Sequence, residues 1–94
     1  MAEEHPCLQR DVTISNVQGL HARPVMRFVD MAAKFSSRIR IRKGDMEVDG
    51  KSPMEMMLLE SPQGTVLRLI AKGADAEGAL TALTALINDK FGEE

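Results

Sequence analysis

A histidine and an arginine lie two positions apart in the segment Gly19-Leu20-His21-Ala22-Arg23-Pro24, where a loop meets a stretch with helical apolar spacing. The first backbone N–H groups of a helix are unpaired and carry partial positive charge, so a helix that begins here presents an anion-binding site. Pro24 is tolerated in the first turn of such a helix. Arg23 adds a planar cationic group that is suited to phosphate oxygens.

This pattern predicts reversible phosphoryl transfer on His21. The positive helix start and Arg23 disfavour the imidazolium form of the ring. A neutral imidazole has a lone pair that can attack phosphorus, and a phosphorylated imidazole is a good leaving group. The competing interpretation is that a lone histidine at a helix start serves as a cap or a surface residue.

A second segment, Ser52-Pro53-Met54-Glu55, has the pattern of a capping box with proline at the first helical position. We therefore expect Ser52 to begin a short helix. No catalytic nucleophile arrangement of the Cys/His or Ser/His/Asp kind is found in the chain.

Several apolar residues near these two segments form a candidate docking surface for a partner protein. Methionine adapts to partners of different shape, and the residues are Ala22, Met26, Met54, Met57 and Leu58. The competing interpretation is that methionines at helical spacing belong to the core. Met54, Met56 and Met57 cannot all face inward on one short helix.

Alternation and helical periodicity predict the elements that position these residues. Strands are predicted at 8–15, 38–42, 46–49 and 65–71, and helices at 22–35, 54–60 and from Ala76 to about Phe91. The element order is β-α-β-β-α-β-α. Because the strands have only one apolar face, we expect an antiparallel sheet with the helices on one side, a two-layer α+β domain.

The predicted hairpin has an inner and an outer face. Ile39, Ile41, Met46 and Val48 are expected to point inward. The outer face has Arg38, Arg40 and Arg42 opposite Glu47 and Asp49. A small nucleic-acid-binding domain that uses this arginine stripe is an alternative, but the stripe lacks stacking aromatics and faces acidic residues, which favours a solvated sheet face.

Length and composition limit the other possibilities. The 94 residues predict one domain, 1–94, with a frayed end at 1–7. The net charge of −2 gives no reason to expect nucleic acid or an acidic membrane surface. A single cysteine, Cys7, excludes an internal disulfide and indicates a reducing compartment. With no long apolar run and no signal-peptide pattern, we expect a cytoplasmic protein. His5 and Cys7 form no metal set, so no metal or cofactor is expected.

The sequence GLHARP, followed by an apolar helix, resembles the phosphohistidine motif of the HPr family, the histidine-containing phosphocarriers of the bacterial phosphotransferase system. The resemblance extends over about residues 8–91 and includes Lys51-Ser52 before a Met-rich helix. It implies an open-faced β-sandwich, with a four-stranded antiparallel sheet in the order 1-4-2-3 and three helices on one face. It also implies that His21 accepts phosphate on Nδ1, with Ala22 and Arg23 binding the transferring group.

The resemblance further implies the partners. The donor would be the first-stage enzyme, charged from phosphoenolpyruvate, and the acceptors would be the A domains of second-stage proteins. The chain would be a carrier rather than a turnover enzyme. In some bacteria a dedicated kinase phosphorylates the serine that corresponds to Ser52 and weakens transfer to the histidine. Here Pro53 replaces the aliphatic residue usual in the family.

Two further alternatives stay open at this point. One is a regulatory docking module of the same fold, which signals by binding partners in one phosphorylation state. The other concerns the branch of the system. Met26-Arg27-Phe28 and Phe91 with its acidic neighbours resemble nitrogen-related members, whereas Lys51-Ser52 resembles members that serve sugar uptake.

Overall fold

The computed structural model describes residues 5–93 of the chain. Its strands and helices follow the predicted order: β1 Cys7–Thr13, α1 Ala22–Ala32, β2 Arg38–Lys43, β3 Met46–Asp49, α2 Pro53–Met57, β4 Val66–Lys72 and α3 Ala76–Asn88, followed by a 3₁₀ turn, Lys90–Gly92. The strands form one antiparallel sheet in the order β1-β4-β2-β3. The predicted α+β class and the sheet order 1-4-2-3 are therefore confirmed.

The core lies between the helices and the apolar face of the sheet. Ile39 and Ile41 are fully buried on β2, as predicted, and Val48 is buried on β3. Met46 was expected to point inward with Val48, and this was wrong, because its side chain is 44% exposed. It lies at the end of the edge strand, beside the hairpin turn and opposite Lys43.

The N-terminal strand begins earlier than predicted. Cys7, which was assigned to a frayed end, pairs with Lys72 as the first residue of β1. Residues 1–4 of that assignment lie outside the described residues. The strand also ends before Ile14, although the backbone of Ile14 still bonds with Thr65 and Gly64 at 2.9 and 2.7 Å.

Helix α1 ends at Ala32, three residues before the predicted end. The loop that follows is held by Asp75, just before α3. The Asp75 carboxylate accepts hydrogen bonds from the backbone N–H groups of Ser36 and Ser37 at 2.8 and 2.9 Å, and from both serine hydroxyls. These four donors lower the pKa of Asp75 from its ordinary 3.8 to about 2.

Helix α3 ends at Asn88 instead of continuing to Phe91. Lys90 and Phe91 adopt left-handed backbone angles with φ of 58° and 56°, which are uncommon for residues other than glycine. The reversal buries the Phe91 ring, which is 1% exposed, and brings the 3₁₀ turn against α1. Gly92 also has positive φ, and a Cβ there would lie 2.8 Å from Arg27. Glu93 is thereby directed toward the start of α1.

Candidate functional site

The loop between β1 and α1 is held by a close backbone contact with the segment after α2. Gly19 has φ of 71°, and a Cβ at this position would lie 2.5 Å from the carbonyl oxygen of Ser61. Only glycine fits there without a shift of the backbone. The next N–H, that of Leu20, donates to the same Ser61 oxygen at 2.8 Å. This contact determines where the chain enters α1.

His21 is the N-cap residue of α1, with an extended backbone and no side-chain cap hydrogen bond. Within residues 5–93, no group accepts a hydrogen bond from the backbone N–H of Ala22 or Arg23. These two donors and the positive end of an 11-residue helix adjoin the imidazole of His21. The helix start that the sequence predicts, with unpaired N–H groups beside His21, is therefore present, and its binding of an anion stays a prediction.

The imidazole of His21 contacts a carboxylate that sequence reasoning missed. Its Nε2 lies 2.9 Å from Oε1 of Glu93, and the two side chains are 34% and 17% exposed. The sequence predicts two positive features beside this ring, the helix start and Arg23, whereas the structure also places a carboxylate from 72 positions along the chain against Nε2.

Asn16 is the second residue that sequence reasoning missed. It is fully buried, and its Nδ2 donates to the carbonyl oxygen of Gly19 at 2.6 Å and to Oε1 of Glu93 at 2.8 Å. The hydrogen bond from His21, and then the hydrogen bond from Asn16 and the nearby charge of Arg23, lower the pKa of Glu93 below its ordinary value. Glu93 is therefore ionised at neutral pH.

Arg23 is exposed and lies beside this group. Together with Val17, Gln18, His21 and Glu93 it lines a shallow pocket at the start of α1. Arg23 forms no ion pair within residues 5–93. Its guanidinium is thus available for an anion in the pocket.

The residues of the predicted docking surface are exposed on α1 and at α2, two helices that contact each other. Met26 is 46% exposed, Met54 81%, Met57 45% and Leu58 59%, and Ala22 is also exposed. The third methionine of the run, Met56, is fully buried. We call the five exposed residues the apolar apron. Val17, 65% exposed in the loop before His21, was not predicted, since isolated loop valines carry no sequence signal.

Ser52 is the N-cap of α2, and its hydroxyl accepts the N–H of Glu55 at 3.2 Å. In a complete capping box the Glu55 carboxylate would accept the N–H of Ser52, but here both groups have other partners. The Glu55 carboxylate accepts the N–H of Asp49 at 3.1 Å, and the N–H of Ser52 donates to the Asp49 carbonyl instead. The helix is also shorter than predicted, ending at Met57.

The arginine stripe on the outer sheet face makes local contacts. Arg40 pairs with Glu47 at 3.1 Å and Arg42 donates to the Gly44 carbonyl. Over residues 5–93, no three His, Cys, Asp or Glu side chains are grouped so that they could hold a metal ion. No helix in that part of the chain has the length and apolar character needed to cross a membrane.

Comparison with known proteins identifies the family of this chain. A family model described as "PTS HPr component phosphorylation site" matches residues 8–89. Phosphocarrier protein HPr of Neisseria meningitidis serogroup A is 44% identical over 86 residues, which are 92% of this chain and 97% of that protein. Phosphocarrier protein NPr of Shewanella violacea is 38% identical over 86 residues, with coverages of 92% and 94%. The crystal structure of HPr-C-His from Thermoanaerobacter tengcongensis has a TM-score of 0.89 and 47% identity, with coverages of 93% and 98%. The chain belongs to the HPr family of phosphocarrier proteins of the phosphotransferase system.

Proposed function

We propose that this phosphocarrier holds its phosphoryl group on Nδ1 of His21. The observation that carries the proposal is the partly exposed imidazole beside two unpaired backbone N–H groups, those of Ala22 and Arg23, at the start of α1. These donors and the Arg23 guanidinium would take the oxygens of the phosphoryl group.

The step requires only the lone pair of a neutral imidazole. Nδ1 attacks the phosphorus of the phosphorylated donor, and a nitrogen–phosphorus bond forms. The donor's own bond to phosphorus breaks, and its electron pair returns to the donor. The reverse sequence passes the group to the next protein, so the chain ends each cycle unchanged and acts as a carrier rather than a turnover enzyme.

The apolar apron would receive the partners. The apron lies on α1, which begins directly after His21, and at α2. Four of its side chains, Met26, Met54, Met57 and Leu58, are about half or more exposed. We propose the first-stage enzyme as donor and second-stage A domains as acceptors, with all of these proteins meeting in the cytoplasm. Adaptable methionine side chains suit a surface that must fit more than one partner.

Ser52 is the proposed regulatory site. Its hydroxyl is partly exposed at the start of α2, next to Pro53 and two residues before Met54. A phosphate added there by a dedicated kinase would bring roughly −1.5 to −2 charges to the edge of the apron. Docking of the donor would then weaken without any change of fold.

The test of the carrier function uses phosphoenolpyruvate and a purified first-stage enzyme. The intact mass of the wild-type chain should increase by one phosphoryl group, which acid treatment removes. His21→Ala should gain nothing, whereas His5→Ala, which removes the only other histidine, should behave as wild type. Phosphorus–proton correlation NMR should place the group on Nδ1. An acid-labile phosphate that persists in His21→Ala would refute the assignment.

A further inference from the structure

The proposed transfer makes no use of Asn16 and Glu93, although both converge on His21. Asn16 is fully buried. Its Nδ2 donates hydrogen bonds both to the Gly19 carbonyl oxygen and to Glu93 Oε1. Its Oδ1 has no protein partner within residues 5–93. Turning the amide over would point an oxygen at two other acceptors, so the orientation with Nδ2 toward them is required.

These contacts determine which ring nitrogen of His21 carries the proton. Glu93 is ionised and can only accept hydrogen bonds. The 2.9 Å contact therefore needs a hydrogen on Nε2, and a neutral ring with its hydrogen on Nε2 has its lone pair on Nδ1. The partner of one imidazole nitrogen thus selects the other nitrogen as the nucleophile.

We infer that Asn16 and Glu93 are positioning residues for phosphoryl transfer: the buried Asn16 amide holds the Glu93 carboxylate where it accepts the Nε2–H of His21. The inference rests on the proposed function of His21. Neither residue touches the phosphoryl group, and both act through the imidazole.

The carboxylate also has an electrostatic role in the transfer. When Nδ1 forms its bond to phosphorus, the ring keeps the Nε2 hydrogen and becomes positively charged. Glu93 then faces that charge at 2.9 Å. A carboxylate that orients an imidazole and stabilises its cation has this same role in serine proteases.

The residues matched by the family model do not include both partners of this contact. The family model covers residues 8–89, so Glu93 lies beyond it, and Asn16 is separated from Glu93 by 77 positions. The left-handed turn at Lys90 and Phe91 brings the carboxylate back to α1. The burial of Phe91 holds that turn in place.

The experiment compares Glu93→Ala, which removes the acceptor, with Glu93→Gln, which keeps an oxygen acceptor but loses the charge. Asp89→Asn is the matched control, because it removes an exposed carboxylate four residues away. Long-range proton–nitrogen NMR measures the tautomer of neutral His21. Steady-state assays with the first-stage enzyme give kcat and KM with this chain as the substrate.

We expect the fraction of Nε2–H tautomer and kcat to fall in the order wild type, Glu93→Gln, Glu93→Ala. The fall in kcat for Glu93→Ala should be about tenfold or more, as for other partners that orient an imidazole, with a smaller change in KM. Asp89→Asn should match wild type. An unchanged tautomer and kcat in Glu93→Ala, or a faster transfer, would overturn the inference.

The role of Asn16 can also be measured without substituting the residue itself. Its side-chain amide resonances should shift in Glu93→Gln and stay in place in Asp89→Asn, and the absence of that shift would overturn its part of the inference. Asn16→Asp keeps the shape of the side chain but replaces its NH2 donor with an oxygen. This variant should lower kcat as Glu93→Ala does. If the proposed function of His21 is itself wrong, His21→Ala still accepts phosphate. That result distinguishes failure of the proposed function from failure of this inference.

Discussion

The hydroxyl of Ser52 accepts the backbone N–H of Glu55 at 3.2 Å, and this contact begins helix α2. The Glu55 carboxylate bonds the N–H of Asp49 at 3.1 Å instead of returning to Ser52. One residue of the capping pair therefore satisfies the helix start, while the other ties the helix to the end of strand β3. Ser52 thus has a structural role that any regulatory role must leave intact.

Ser52→Ala should lower the free energy of unfolding by about 0.5–2 kcal/mol, because the Glu55 N–H loses its acceptor. Ser52→Asp should keep most of the stability, since a carboxylate accepts the same bond and suits a helix start. Urea unfolding of the two variants and wild type measures this. Equal stability of Ser52→Ala and wild type would show that the cap contributes nothing.

Ser52→Asp should slow phosphoryl transfer from the first-stage enzyme, while Ser52→Ala should transfer at close to the wild-type rate. The negative charge lies at the edge of the apolar apron, two residues from the exposed Met54. The measurement is the transfer rate against donor concentration, with far-UV circular dichroism to verify the fold. If the two variants transfer equally fast, the regulatory proposal for Ser52 is wrong.

Arg23→Ala should slow transfer strongly and leave stability almost unchanged. Loss of a donor that stabilises a transition state costs about 2.7–4 kcal/mol, whereas exposed substitutions usually change stability by no more than about 0.5 kcal/mol. Arg38→Ala, on the outer face of the sheet, is the control for loss of one positive charge. A variant that melts early but transfers normally when folded would make Arg23 a structural residue.

Met54→Ala and Met56→Ala form a matched pair on one helix. Met56 is fully buried, so its truncation should cost about 2–5 kcal/mol of stability. Met54 is 81% exposed, so its truncation should leave stability within about 0.5 kcal/mol and raise KM with the first-stage enzyme. An unchanged KM in Met54→Ala would remove Met54 from the docking surface.

Asp75→Asn should lower the melting temperature at neutral pH, because a neutral amide is a weaker acceptor for the four donors of Ser36 and Ser37. The pKa of Asp75 is about 2 in the folded chain and 3.8 ordinarily. A depressed folded pKa gives stability that is complete above 3.8 and is lost as the pH falls toward 2. The difference between variant and wild type should therefore shrink over that interval. Asp45→Asn, in the exposed hairpin turn, should show no such trend.

The local pattern of residues was enough to predict the elements and the helix start at His21. Alternation on strands and periodicity on helices act over a few neighbours, so the order β-α-β-β-α-β-α followed from the sequence. The GLHARP segment lies within one turn of α1, and its residues share a site because they are adjacent. The ends of elements were less accurate. Helix α3 ends at Asn88 because burying Phe91 requires left-handed backbone, which no periodicity predicts.

Contacts between distant segments were decided only by the tertiary structure. Met46 has the alternation of an inward residue, yet it is exposed because it lies at the end of an edge strand. Glu93 reads as one acidic residue in a polar tail, and 72 positions separate it from His21. Hydrogen bonds of this kind form when packing brings two segments together, and here the buried Phe91 and the left-handed turn direct Glu93 back to α1. The sequence by itself therefore determined the residue that is proposed to carry the chemistry, whereas the fold determined the carboxylate that faces it, because their proximity depends on the packing of the whole core.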